Sequence, residues 1–186
     1  IVSLLHQLFS IRGYKCGLIS TIENLIDHEK YISTHTTPDI LQINFLLSKM
    51  VDLGCSYCFM EVSSHALDQN RINGLTFKIA VFTNITHDHL DYHKSFKNYL
   101  NVKKSFFDKL EKNALALINS DDKNADVMMQ NSLATKYTYS LQSISDFKCK
   151  IIESDFDGML LEIDNYKIWV KLVGKFNAYN LLAAYS

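Results

Sequence analysis

Carboxylate, imidazole and amine side chains gather in one stretch of the chain, from Met60 to Lys103. It reads Met60-Glu-Val-Ser-Ser-His-Ala-Leu-Asp-Gln-Asn-Arg71, then Phe82-Thr-Asn-Ile-Thr-His-Asp-His-Leu-Asp-Tyr-His93, and closes on Lys103. Glu61 ends an apolar run, where an unpaired carboxylate is costly, so it requires a cation or hydrogen-bond donors. A metal is the simplest partner; a neighbouring arginine or the N-terminus of the next helix competes with it. His87, His89 and His93, interleaved with Asp88 and Asp91, suit a divalent cation, and alternation in an extended segment would point His87 and His89 the same way. The same composition fits a manganese or zinc hydrolase, or a polar loop with no metal.

Other candidates have equally plain alternatives. Lys103 falls in a helical pattern where Val102-Lys103-Lys104 reads as a solvated face. Beside a metal, a lysine serves as a base or anion binder, or takes up carbon dioxide to become an anionic carbamate. Thr36 and Thr37 precede Pro38 at a helix start, where free N–H groups and hydroxyls bind anions, though simple capping explains Thr37 as well. Ser63, Ser64, Gln69 and Arg71 offer donors for a carboxylate or phosphate, Arg71 with a bidentate grip; the other reading is a polar surface turn. Cys55-Ser-Tyr-Cys58 has CxxC spacing without a second pair, so Cys16, Cys55, Cys58 and Cys149 read as reduced core residues and Trp169 as packing.

The elements that must position these residues follow from periodicity. Residues 2–12 read as a helix ended by Gly13, 14–20 as a strand, and 21–35 as a loop or irregular hairpin. Thr37-Pro38-Asp39 supplies an N-cap hydroxyl, Pro at the first helical position and an acid in the first turn, opening a helix that runs to Gly54. Strands at 57–62, 78–83, 114–119 and 136–139 alternate with helices at 64–69 and 95–110 and one opened by Asp121-Asp122. The apolar runs at 57–62 and 79–82 end abruptly in ionisable residues, as buried parallel strands do when they deliver chemistry at their carboxyl ends. From residue 148 the pattern changes to an antiparallel meander, 151–156, 159–163 and 166–173, joined by Asp157-Gly158 and Asp164-Asn165. The expected class is α/β, a mostly parallel sheet flanked by helices with a small meander beside it.

With 186 residues, 47% of them hydrophobic, the chain is expected to form one domain. A net charge of −1 without a basic cluster leaves no footprint for nucleic acid. No run approaches the ~18 apolar residues of a membrane span, and the start lacks the charged region of a signal peptide, so the cytoplasm is the default expectation and a monomer the simplest state. Both ends read as cut, since a helical pattern starts at once without a cap and the last one stops within about ten residues.

Thr36-Thr-Pro-Asp, the Glu61 to Ile72 block, the Phe82 to His93 block, Lys103, Asn119-Ser-Asp-Asp and Gly174-Lys-Phe-Asn-Ala-Tyr-Asn together resemble the Mur ligase family over essentially the whole chain. Glu-Val-Ser-Ser-His is specific to the branch that adds the third residue of the peptidoglycan stem peptide. The resemblance implies the P-loop-like central domain of a three-domain enzyme that joins an amino acid, diaminopimelate or lysine, to UDP-N-acetylmuramoyl-L-alanyl-D-glutamate. ATP would phosphorylate the glutamate carboxylate, and the amine would displace phosphate from the acyl phosphate. It further implies Glu61 as a magnesium ligand, His89 on a second magnesium, and Lys103 as a carbamylated lysine supporting that ion. Thr36, Thr37, Ser63, Gln69 and Arg71 would bind the UDP-muramoyl dipeptide, and Asn177 and Asn180, before the final helix, the nucleotide. The family's Gly-rich loop ending Gly-Lys-Thr is expected just before Ile1, so these 186 residues alone are expected to lack ligase activity. Three rivals stay open: a folylpolyglutamate synthetase-like ligase, a metal-dependent hydrolase built on His87, His89 and His93, and a noncatalytic nucleotide-binding module.

Overall fold

A computed structural model describes residues 1–186, which divide into two compact units, Ile1–Leu75 and Thr76–Ser186. No helix is long and apolar enough to cross a membrane.

The first unit runs α1 (Val2–Ile11), β1 (Cys16–Ile19), β2 (Asn24–Ile26), β3 (Glu29–Tyr31), α2 (Ile40–Asp52), β4 (Tyr57–Met60) and α3 (Ser64–Asp68). Its sheet has the order β3-β2-β1-β4, with β1 parallel to β4 and the other pairs antiparallel. Residues 21–35 thus contain the irregular hairpin, turning through Asp27 at φ +55°. Helix α2 turns Ile43, Leu46 and Met50 inward at helical spacing, and Leu46 and Met50 close over Ile19 and Ile26. Its cap differs from expectation. Asp39 is the N-cap, its carboxylate accepting from the N–H groups of Leu41 and Gln42, and Pro38 lies outside the helix. Thr37 is not available to cap because its hydroxyl is engaged by another part of the unit. Cys16 is buried as expected, but Cys55 is only partly so and Cys58 is exposed.

The second unit runs β5 (Ile79–Phe82), α4 (Leu90–His93), α5 (Phe96–Asp108), β6 (Leu115–Asn119), α6 (Ala125–Met129), β7 (Thr135–Ser140), β8 (Phe147–Ser154), β9 (Met159–Ile163), β10 (Tyr166–Val170) and α7 (Lys175–Tyr185). Strands β5 to β8 pair in parallel, and β8, β9 and β10 form the antiparallel meander. The α/β class with a mostly parallel sheet and a meander near the C-terminal end is therefore present. The strands fall into two sheets, and the meander continues the second one, because β8 is long enough to pair with β7 at its start and with β9 beyond. Phe82, Tyr99, Phe107, Ile118 and Met128 fill this unit's core. Trp169 lies against the Gly158 turn and remains 45% exposed.

Two expectations fail here because a charged side chain has a specific partner, local for Lys104 and distant for Asp121. Lys104 is not on a solvated face: it is 8% exposed, its ammonium 2.6 Å from both carboxylate oxygens of Asp108. Asp121 and Asp122 do not open a helix; α6 starts after Asn124. Asp121 instead accepts the N–H groups of Leu141, Gln142 and Ser143 and the Tyr179 hydroxyl, tying the β7–β8 connection and α7 to the end of β6. Burial alone would raise the Asp121 pKa, but the hydrogen bonds from Ser143, Tyr179 and Leu141 outweigh it and lower it from 3.8 to about 2.

A depressed carboxylate pKa contributes stability that is present above the unfolded value and lost as pH falls through the folded one. Asp121→Asn is expected to destabilise the protein by at most about 2 kcal/mol at neutral pH, with solvent screening reducing the figure. Denaturant midpoints of the two proteins should then converge between pH 4 and about 2, where the wild-type carboxylate protonates. A gap that stays constant over this range would remove Asp121 from that role.

Candidate functional site

In the first unit, parallel pairing sets Ile19 opposite Met60, so both strands end at the same edge. The Glu61 N–H donates to the Ile19 carbonyl at 2.9 Å and carries the pairing one residue further. Thr21, two residues beyond β1, therefore meets Glu61. Its N–H (3.0 Å) and its hydroxyl (2.7 Å) both donate to Glu61 Oε2, and Thr36 Oγ1 lies 3.0 Å from Thr21 Oγ1.

Thr37 is fully buried, and its hydroxyl makes two bonds: it donates to the Glu61 carbonyl at 2.7 Å and accepts the Ser63 N–H at 3.0 Å. The Ser63 hydroxyl in turn caps α3 by accepting the Ala66 N–H. Arg71 donates through Nη1 to the Thr37 carbonyl at 2.7 Å, and through Nε and Nη2 to Gln69 Oε1 at 2.9 and 2.6 Å. The Arg71 fork closes here on a single amide oxygen of the same chain. Glu61, Thr36, Thr37, Ser63, Gln69 and Arg71 thus form one connected network. Thr21 belongs to it and sequence reasoning missed it, because its place depends on the β1–β4 register and not on local pattern.

In the second unit, the three histidines do not share a face. His87 stacks on Phe96 (ring centroids 4.4 Å), His93 is buried and stacks on Tyr99 (5.1 Å), and His89 meets Tyr99 edge-on (5.9 Å). The alternation rule does not apply, since the segment turns through His89 at φ +55° into α4 and is not extended there. No group of three or more His, Cys, Asp or Glu side chains is placed to hold a metal ion. The three histidine rings thus do not gather into a three-ligand group. The His89 N–H donates to Asp88 Oδ1 at 2.8 Å. Lys103 Nζ sits 5.5 Å from the centre of the Tyr99 ring, and burial pushes its ammonium pKa down.

Three side chains pin the start of the histidine loop to neighbouring strands. Asn119 Nδ2 donates to the Thr83 carbonyl (2.8 Å), Asp122 Oδ2 accepts the Ile85 N–H (2.9 Å), and the Tyr139 hydroxyl donates to the Phe82 carbonyl (3.3 Å). Asn177 and Asn180 lie inside α7, not before it, because the turn at Gly174 (φ +89°) lets the helix begin at Lys175. Asn177 Nδ2 donates to the Val173 carbonyl, and Asn180 Nδ2 to Asn177 Oδ1, along one helix face.

Glu61 supplies an oxygen donor of the kind magnesium takes. Magnesium keeps several waters and takes one or two carboxylates plus substrate phosphates, with no all-protein cage. The Glu61 carboxylate matches that demand, whereas the His89 imidazole is a nitrogen donor of a kind more usual on zinc, and zinc would need three or four protein ligands together.

The chain matches the Mur ligase middle domain family over residues 1–186. It is 56% identical over 185 residues to a Phocaeicola vulgatus protein named UDP-N-acetylmuramoyl-L-alanyl-D-glutamate--2,6-diaminopimelate ligase, a match covering 100% of this chain and 38% of that protein. A solved structure bearing the same ligase name matches with a TM-score of 0.85 at 31% identity, over 98% of this chain and 39% of its own. A folylpolyglutamate synthetase from Lactobacillus casei matches with a TM-score of 0.62 at 12% identity, over 99% of this chain and 52% of its own, a likeness of fold alone. The chain spans under two fifths of the length of the ligases it matches.

Thr37→Val keeps shape and removes the hydroxyl, leaving the Ser63 N–H and the Glu61 carbonyl without their partner. The expected loss is about 2 kcal/mol of unfolding free energy, read from urea denaturation. A loss below about 0.5 kcal/mol would mean that water replaces the hydroxyl.

Proposed function

The chain belongs to the Mur ligase family, as its middle domain, and on that basis we propose that it is the ATP-using part of a ligase joining 2,6-diaminopimelate to UDP-N-acetylmuramoyl-L-alanyl-D-glutamate in peptidoglycan synthesis. The glutamate carboxylate takes the γ-phosphoryl group of ATP, giving an acyl phosphate and ADP. The amine then attacks the acyl carbon, phosphate leaves with the bonding pair, a proton is lost from nitrogen, and the amide remains. The observation that supports this reading most is the connected network of Glu61, Thr36, Thr37, Ser63, Gln69 and Arg71 at the carboxyl ends of β1 and β4.

Glu61 and His89 would each hold a magnesium ion, which when bound neutralises charge on the transferring phosphoryl group. Thr36, Thr37, Ser63, Gln69 and Arg71 hold the UDP-muramoyl dipeptide, and Asn177 and Asn180 the nucleotide. Lys103 is the carbamylated lysine of the reading. Desolvation favours its neutral amine, the form that adds to carbon dioxide, and the resulting carbamate attracts a cation where an ammonium would repel it. The reading makes the partners small molecules, ATP, the UDP-linked dipeptide and the amino acid, and places a monomeric enzyme in the cytoplasm with its ATP. The full sequence match at 56% identity favours the diaminopimelate ligase over a folylpolyglutamate synthetase, whose likeness is one of fold.

The test is phosphate release by the full-length protein with ATP, magnesium and UDP-N-acetylmuramoyl-L-alanyl-D-glutamate, with diaminopimelate or lysine added separately. Release that depends on diaminopimelate is expected; folded protein that releases none with either amine overturns the reading. Lys103→Ala should lower kcat by about 100-fold, the scale of losing one electrostatic stabiliser. Acetate should restore part of the rate by returning an anion, while Lys103→Arg, which keeps the charge but forms no carbamate, should be no better than alanine.

A further inference from the structure

We propose that Thr21 is a positioning residue that occupies Glu61 Oε2 and so restricts the carboxylate to single-oxygen coordination, selecting magnesium over calcium; this rests on Glu61 being a cation ligand. Both Thr21 donors converge on the same oxygen, the N–H at 3.0 Å and the hydroxyl at 2.7 Å, and Oε1 takes neither. The difference between the two oxygens has a consequence for the metal. Calcium accepts six to eight oxygens in flexible geometry and readily takes a carboxylate through both, whereas magnesium demands near-octahedral geometry and takes one oxygen at a time. A carboxylate with one oxygen already committed to two donors suits the second ion and handicaps the first.

Thr21 can hold this position because its own backbone is fixed on both sides. The Ser20 N–H donates to Oδ1 of the buried Asn24 (3.3 Å), the Ser20 hydroxyl donates to the Glu23 carbonyl (2.8 Å), and the Ser33 hydroxyl donates to the Ser20 carbonyl (2.7 Å). Asn24 Nδ2 reaches the Ile32 carbonyl (3.3 Å) and ties the hairpin to the same point. Thr21 and Glu61 are exposed enough for a hydrated ion to approach. Thr36 Oγ1, 3.0 Å away, adds a further polar contact to the Thr21 hydroxyl.

The experiment is Mn2+ binding by electron paramagnetic resonance to the full-length protein with ADP, with Mg2+ and Ca2+ as competitors, for wild type, Thr21→Val, Thr21→Ser and Glu61→Gln. Circular dichroism checks each fold, and Thr21→Ala replaces Thr21→Val should the latter misfold. Thr21→Val is expected to weaken Mg2+ by about 10-fold, the usual loss when a group holding a metal ligand is removed, with a smaller loss for Ca2+. Thr21→Ser, which keeps the hydroxyl, should stay near wild type in both affinity and preference. Unchanged Mg2+ affinity in Thr21→Val, or equal weakening of both cations, overturns the proposal while Glu61→Gln still removes one Mn2+ site. Unchanged binding in Glu61→Gln overturns the cation role of Glu61 and this proposal with it.

Discussion

The register of β1 against β4 is the constraint on which the first unit's chemistry depends. All four residues of β1 are buried, and sliding either strand by one residue would turn its side chains to the opposite face. Because the two strands run in parallel, their carboxyl ends arrive together, and the residues just past them, Thr21 and Glu61, become neighbours although forty positions apart. The buried Thr37 hydroxyl then joins two stretches of backbone that form no ladder, accepting from Ser63 and donating to Glu61. Unmade, each of those bonds would leave a backbone group short of a partner, which is why a buried threonine serves here better than an apolar residue of the same size.

The second unit solves the same problem with carboxylates and amides. Its loops are irregular, and their N–H groups lack ladder partners, so Asp121 and Asp122 accept from them directly. Charge-assisted bonds of this kind are stronger than neutral ones, and their concentration on Asp121 accounts for its low pKa. The adjacent lysines of α5 show how far one helical step separates two fates. Lys104 turns inward to Asp108, where burial requires a paired charge; Lys103, rotated by about 100°, reaches the face of Tyr99. Tyr99 also takes His93 flat and His89 edge-on, so a single ring organises the surroundings of the residues assigned to the second cation.

Much of the architecture was legible without coordinates. Helix and strand positions followed from apolar spacing, helix ends from Gly13 and Gly54, and the meander from Asp157-Gly158 and Asp164-Asn165, since these signals act within a few residues of themselves. Ordered motifs pointed to the Mur ligase family because ligand chemistry restricts residue type at each position, and the match over residues 1–186 bears that out. What stayed hidden was the choice of partner. Thr37 looked like a cap and Asp121 like a helix opener because both readings are locally sound; each side chain was claimed by a group many positions away. The histidines looked like a cation cluster because composition carries no direction, and the left-handed turn at His89 parts His87, which stacks on Phe96, from His89, which meets Tyr99. By itself the sequence determined the elements, the family and the residue types at the site, all consequences of short-range propensity and chemical identity. Only the tertiary structure decided which oxygen meets which donor, because that depends on strand register and burial, which bring distant residues within hydrogen-bonding reach.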